Sequence, residues 1–365
     1  MRRILFVAEL FWPHIGGAET LLENVCRGLV VSGYEVTVVP TKLKGYKKYE
    51  IWHGIKIYRV NCFNRYGFTF FSLWKIYKLA KYADVIHTIT FNASLPAWIV
   101  ARISNKPCYL TVLEVWGDFW KEIPGINIFH GLFEKFIMAL DYDKYIAISQ
   151  FTKKQMRTIY DIREDKIEVI YPGVDYDLFD YQKYNKAESR DYLKLNQGDF
   201  LYLYFGRPGW AKGLEYLLEA VPLISQRIPG AKLLLILSET PGRQYRKVLD
   251  LVKKLGIEKN IILLKSMPKE KLIRYLVASD CVVIPSLSEG FGFSAAEASA
   301  LKIPLVITKV GSLPEVASGT VIWLKSRSAN SIVDGVCHVP RGRWVIIPPK
   351  KFFWDDYVQK IAILS

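Results

Sequence analysis

Glu289 and Glu297 close a short run, Ser288-Glu289-Gly290-Phe291-Gly292-Phe293-Ser294-Ala295-Ala296-Glu297, with seven residues between them, directly after the apolar stretch Cys281-Val282-Val283-Ile284-Pro285. Ionised carboxylates only accept hydrogen bonds, so a pair at this spacing suits a ligand rich in hydroxyls. Gly290 and Gly292 let backbone N–H groups come close to a ligand, and the small residues behind them read as the start of a helix, whose dipole adds partial positive charge. The run therefore offers an anion seat flanked by two hydroxyl acceptors. The plainer alternative is a helix capped by Ser288 or Glu289 with Glu297 partly exposed.

A second stretch supplies the opposite charge. Phe205-Gly206-Arg207-Pro208-Gly209-Trp210-Ala211-Lys212-Gly213 follows an apolar run and leads into a helical pattern marked by Leu214, Leu217, Leu218 and Val221. Arg207 brings a planar fork and Lys212 a point charge to the mouth of a helix, an arrangement suited to a diphosphate. Two surface cations beside a loop would read the same way in isolation; their place after a strand and among glycines favours binding.

Elements must hold these residues at strand ends. Apolar runs at 4–9, 35–39, 55–60, 84–88, 108–113, 145–149 and 167–171 alternate with segments long enough for helices, and the first is followed by a helix with Leu21, Leu22, Val25 and Leu29 on one face. Tyr171-Pro172-Gly173-Val174-Asp175 breaks the alternation, and a polar stretch runs on to Asp199. A second alternation occupies 200–205, 231–237, 260–265, 281–285, 304–308 and 321–324. The reading is α/β: two Rossmann-like, doubly wound domains with parallel sheets covered on both faces, residues 1–172 and 173–351, facing across a cleft that receives the ligand. The tail, 352–365, reads as a helix packing back on the first domain.

Composition limits the rest. With 51% hydrophobic residues in 365, the chain can build two cores. Its five cysteines (26, 62, 108, 281 and 337) form no Cys-x-x-Cys pair, which points to free thiols. The N-terminus meets Glu9 too early for a signal sequence, and no run has the length of a membrane span, so the expected location is cytoplasmic. The net charge of +15 calls for an anionic partner, but no nucleic-acid motif accompanies it.

Taken together, Gly206-Arg207-x4-Lys212-Gly213, Glu289-Gly-Phe-Gly-x4-Glu297 and Gly311-Ser312-Leu313-Pro314-Glu315 resemble a retaining glycosyltransferase of the GT-B fold, family 4. Gly16-Gly17-Ala18-Glu19, Ala147-Ile148-Ser149, Pro172-Gly173-Val174-Asp175 and the Trp354-Asp355 helix extend the resemblance nearly end to end. The resemblance implies a nucleotide-sugar donor and transfer of a hexose to a glycan, lipid-linked or glycolipid acceptor. It implies that Arg207 and Lys212 hold the diphosphate, so that neither a metal nor another cofactor is required. By the same resemblance Glu289 faces the donor sugar and Glu297 the ribose hydroxyls. Gly206, Gly290, Phe291, Gly292 and Phe293 would line the donor seat, with Gly16 and Gly17 closing over the diphosphate. Glu114, Asp118 and His14 are the acceptor-side candidates. Attack on the donor's front face, with the leaving phosphate accepting the acceptor's proton, accounts for retention of configuration without a carboxylate nucleophile.

One position departs from the pattern. The family usually carries a histidine where this chain has Leu113, and leucine can neither donate to a sugar hydroxyl nor move a proton. His14 and His87 are the histidines weighed as substitutes. The departure leaves as an alternative a GT-B protein that binds nucleotide or glycan without turnover, and the fold also leaves a nucleotide-sugar epimerase. Gly290-x-Gly292-x-x-Ala295 formally matches a dinucleotide fingerprint, but it follows a late strand and Glu289 would repel a pyrophosphate. Asp141-Tyr-Asp143 and Asp175-Tyr-Asp177 resemble a metal-binding Asp pair, although their positions suit solvated charges. Finally, residues 63–82 interleave aromatics with lysines, a pattern for peripheral contact with an anionic membrane or for a core helix with snorkelling lysines.

Overall fold

The computed structural model describes residues 2–14, 16–123 and 127–364. Its contacts divide the chain into two compact units, Met1–Gly173 with Phe352–Ser365, and Val174–Lys351.

Among the described residues, the first unit runs β1 (Arg3–Val7), α1 (Gly17–Val31), β2 (Glu35–Val39), β3 (Tyr49–Trp52), β4 (Ile55–Tyr58), α2 (Arg65–Phe71), α3 (Leu73–Ala80), β5 (Val85–Thr88), α4 (Phe91–Ile103), β6 (Cys108–Val112), α5 (Asn127–Ala139), β7 (Lys144–Ala147), α6 (Gln150–Tyr160) and β8 (Ile167–Val169). The strands lie in the order β3-β4-β2-β1-β5-β6-β7-β8. β5 and β6 are buried at every position, the mark of a sheet covered on both faces. Leu5, Val7, Ile86, Leu110 and Val112 share a core with Ala97, Val100 and Ala101 of α4. Each fully buried Leu or Val there contributes about 1.5–3 kcal/mol.

The edge differs from the all-parallel expectation, because β3 is antiparallel to β4. Trp52 and Ile55 pair across the two-residue turn His53-Gly54, and both turn residues have positive φ (47° and 79°). That is the geometry of a type I′ hairpin, whose usual signal is Asn-Gly rather than His-Gly.

The second unit runs α7 (Lys186–Tyr192), β9 (Leu201–Gly206), α8 (Leu214–Arg227), β10 (Lys232–Leu237), α9 (Gly242–Leu255), β11 (Ile261–Lys265), α10 (Lys269–Ala278), β12 (Cys281–Ile284), α11 (Phe293–Ala300), β13 (Leu305–Thr308), α12 (Leu313–Val316), β14 (Gly319–Leu324), α13 (Ala329–His338) and β15 (Val345–Ile347). The order is β11-β10-β9-β12-β13-β14-β15, and again one edge strand, β15, is antiparallel to its neighbour. Strands are added outward in one direction from β9 and in the other from β12, so the loops after these two parallel strands meet at the switch point where α/β sheets bind ligands. The polar stretch before β9 is not an open linker. Phe179 is buried, and Arg190 is held by the carbonyls of Ala278 and Gln197 and by Asp280.

The last helix, α14 (Trp354–Leu364), belongs to the first unit and packs on α1. Tyr357, Val358 and Ile361 are buried, and Tyr34 Oη donates to the Ala362 carbonyl at 3.1 Å. Gly28 permits the close approach, since a Cβ there would lie 2.4 Å from a Val358 methyl. All five cysteines are free. No helix among the described residues is long and apolar enough to cross a membrane.

Candidate active site

β9 and β12 pair in parallel, with Cys281 opposite Tyr202, so the loops that leave them are neighbours. The first loop turns through Gly206 and a 3₁₀ turn, Trp210–Lys212, before α8 begins. Leu287 N donates to the Ala211 carbonyl at 2.7 Å and ties the two loops together. Lys212 Nζ donates to both oxygens of Glu289, at 3.0 and 2.8 Å, and Ser286 Oγ donates to Glu289 Oε2 at 3.2 Å. Arg207 is exposed on the same loop.

The backbone around Glu289 is compressed by glycines. Gly213 has φ 61°, and a Cβ on it would stand 2.1 Å from the Pro285 carbonyl oxygen. Gly311 has φ 58°, and its Cβ would meet the Glu289 carbonyl at 2.3 Å. That carbonyl accepts from Ser312 N at 3.0 Å and Ser312 Oγ at 3.1 Å. Two loops thus close on the segment Pro285–Glu289, each at a spacing that only glycine allows. Gly292, at φ 93°, starts α11 without a capping side chain, so backbone N–H groups and the helix dipole head the seat. Gly290 and Phe291 are buried, and Phe291 meets Phe293 edge-on at 5.1 Å. Phe293 itself is half-buried.

Glu297 lies on α11 between Ala296 and Ala298 and is buried. Burial raises its carboxyl above the ordinary range, and Lys269 counters part of that rise. The Lys269 ammonium is 3.4 Å from Glu297 Oε1. Sequence reasoning missed Lys269: it precedes Glu297 by a helix and a strand, and no motif marks it.

The first unit places His14 and Gly16 between β1 and α1, with Gly17 opening the helix. His14 Nδ1 is 3.3 Å from Glu19 Oε1. Leu113 and Glu114 follow β6, and Asp118 is strongly exposed and paired with Lys121. His87 is no substitute for a site histidine. It is enclosed within β5, stacked on Phe6 at 4.9 Å, bonded to Thr111 Oγ1 at 2.8 Å, and lowered by burial to about 3.

A residue without any sequence signal organises the loop after β6. Glu134, fully buried on α5, accepts from Gly117 N at 2.9 Å, Trp116 N at 3.1 Å, Trp120 Nε1 at 2.7 Å and Tyr160 Oη at 2.6 Å. Burial and this carboxylate together raise the Tyr160 hydroxyl.

Three of the four aspartates in the Asp-x-Asp pairs have structural partners, and Asp177 is exposed. Asp141 pairs with Lys166, Asp143 accepts from Cys108 N, and Asp175 accepts from Leu178 N. Among the described residues no group of three His, Cys, Asp or Glu side chains could hold a metal ion.

The geometry joins Lys212, Glu289 and the glycine-led start of α11 at the strand ends of a doubly wound unit, with Glu297 buried further along the same helix. Residues 185–339 match the model of Glycosyl transferases group 1, and residues 15–178 that of Glycosyltransferase Family 4. The chain is 28% identical over 357 residues to an uncharacterised glycosyltransferase of Methanocaldococcus jannaschii, covering 91% of this chain and 88% of that protein. Sucrose-phosphate synthase from Thermosynechococcus elongatus matches with a TM-score of 0.79 at 19% identity, over 100% of this chain and 98% of that one. HepE from Anabaena, in complex with UDP-glucose, matches with a TM-score of 0.76 at 18% identity, over 100% and 99%. The chain belongs to the family 4, or group 1, glycosyltransferases and has their GT-B fold.

Proposed function

We propose that this glycosyltransferase moves a hexose from a nucleotide sugar to a glycan, lipid-linked or glycolipid acceptor, with retention of configuration and without a metal. The observation that carries the reading is the Lys212–Glu289 pair at the switch point, set beside the start of α11. Arg207 and Lys212 neutralise the diphosphate as it leaves, Glu289 accepts from the donor sugar's hydroxyls, and Glu297 accepts from the ribose. The anomeric carbon–phosphate bond breaks as the acceptor oxygen bonds the same face, and the acceptor's proton passes to the departing phosphate oxygen. No carboxylate bonds the sugar. UDP-glucose in the Anabaena structure supports a nucleotide sugar as the donor class.

The acceptor's class finds support on the first unit. Phe68, Ile76 and Ala80 turn into the core from α2 and α3, whereas Phe63, Phe70, Phe71 and Trp74 are exposed, with Phe63 95% accessible. Lys78 lies 4.8 Å over the Trp74 ring. Rings beside cations suit an anionic membrane surface presenting a lipid acceptor. Loss of vesicle flotation in Trp74→Glu, at low salt with anionic lipid, tests that part.

Screening nucleotide sugars for thermal stabilisation identifies the donor, since a ligand at 100 times its Kd adds about 2.7 kcal/mol. Acceptor-dependent release of nucleoside diphosphate then tests transfer. Donor binding with no such release under any acceptor would favour the non-transferring alternative that Leu113 raises.

A further inference from the structure

Lys269 is the first residue of α10, and its ammonium reaches Glu297 while its side chain stays 42% exposed. The same ammonium sits 5.5 Å from the ring of Phe179, itself buried. The glutamate has poor surroundings for a charge. Its neighbours on α11 are Ala295, Ala296 and Ala298, all buried. β12 and β13, packed against α11, carry no charged residue, and α12 carries only Glu315. A protonated carboxyl has lost acceptor capacity and gained a donor, and so receives two vicinal hydroxyls badly. A cation in contact favours the ionised form.

We propose that Lys269 is a positioning residue of the nucleotide seat: it holds Glu297 as a carboxylate, oriented by one oxygen, so that the group can accept a ribose diol. This rests on the assignment of Glu297 to the ribose made above. Because Lys269 remains half exposed, it can stay on Glu297 when the nucleotide enters. Direct binding of phosphate by Lys269 is the rival role, and the two differ in what they require of the ribose.

The test measures binding of uridine, adenosine and guanosine diphosphates, each with its 2′,3′-dideoxy analogue, from mildly acidic to mildly basic pH. Wild type, Lys269→Met, Lys269→Arg and Glu297→Gln are compared. For the ribonucleotide that binds, Lys269→Met is expected to weaken affinity most on the acid side of the profile, by about tenfold there if the carboxyl rises by one unit of pKa. Its acid limb moves to higher pH, so the deficit narrows as the medium becomes basic. Lys269→Arg retains affinity, and all four proteins bind the dideoxy analogue alike. Unchanged affinity and pH profile in Lys269→Met, with Glu297→Gln weakened, overturns the role of Lys269 and leaves the ribose assignment standing. An equal loss for ribose and dideoxy forms in Lys269→Met also overturns it, in favour of phosphate contact. If Glu297→Gln binds both forms as wild type does, the ribose assignment itself fails. If wild type binds none of the diphosphates, the donor-site reading fails.

Discussion

The loops after β9 and β12 and the loop after β6 are both held by a glutamate, yet by opposite means. Glu289 is gripped through its backbone by Gly311 and Ser312, and its carboxylate meets a lysine. Glu134 does the gripping itself, drawing two backbone N–H groups, an indole and a phenol onto one buried carboxylate. The first arrangement leaves charge available for a ligand; the second spends a charge on shape. On the proposed reading, a donor diphosphate needs fixed positive charge, whereas a loop facing the acceptor needs a defined surface whose chemistry is carried by other side chains.

Breaking the first arrangement should have the largest effect. Lys212→Ala removes a cation proposed for the diphosphate and leaves Glu289 without its ion-pair partner. Turnover should fall roughly 10²- to 10³-fold, the usual consequence of losing one stabilising group in a site, while thermal stability changes little. Wild-type turnover would remove Lys212 from the site. Gly213→Ala attacks the same region through the backbone. A side chain at φ 61° facing the Pro285 carbonyl at 2.1 Å should cost about 3 kcal/mol, read as a lower denaturant midpoint. A neutral result would show that the loop relaxes, and the contrast between the two regions would weaken.

This contrast also explains what could be read from the chain. Backbone-built sites leave glycines at fixed offsets, so Gly206, Gly213, Gly290, Gly292 and Gly311 mark the loops that the structure places together around Glu289. The strand alternation was equally legible, because strands buried on both faces are continuous apolar runs. Glu134 was invisible: a single glutamate in Leu132-Phe133-Glu134-Lys135-Phe136 resembles any solvated helix position, and only the tertiary structure reveals its donors. Lys269 escaped for the same reason, being one lysine among many until its contact with Glu297 is seen. β3 and β15 were missed because edge strands are half exposed and lack a buried run, and the β3 turn uses His53 where a hairpin usually shows Asn.

The mirror experiment on the first unit is Glu134→Gln. An amide offers one oxygen and turns an NH₂ toward donors that need an acceptor, so the change should cost about 2 kcal/mol of stability. Its functional signature should be a raised KM for acceptor with little change for donor, because the distortion falls on the loop carrying Glu114. Equal changes for both substrates would mean that Glu134 supports the whole unit rather than this loop.

The smallest effect concerns His87, which stands behind the same loop in β5. Its folded pKa of about 3 lies far below the ordinary 6.5, so the unfolded chain binds more protons between those values. Stability from keeping this histidine neutral is complete above the unfolded value and declines as pH falls through the window, with a slope of about 1.4 kcal/mol per pH unit. His87→Phe keeps a ring between Phe6 and Tyr109 but cannot take up a proton. Unfolding midpoints of the two proteins should therefore converge on acidification, the wild type losing about 1 kcal/mol more than the variant over the first unit below its unfolded pKa. Parallel curves would mean that His87 is hydrated or titrates normally in the folded state. A histidine so exposed to protons could serve beside Leu113 after all, and the first unit would then hold charge for chemistry as the second does.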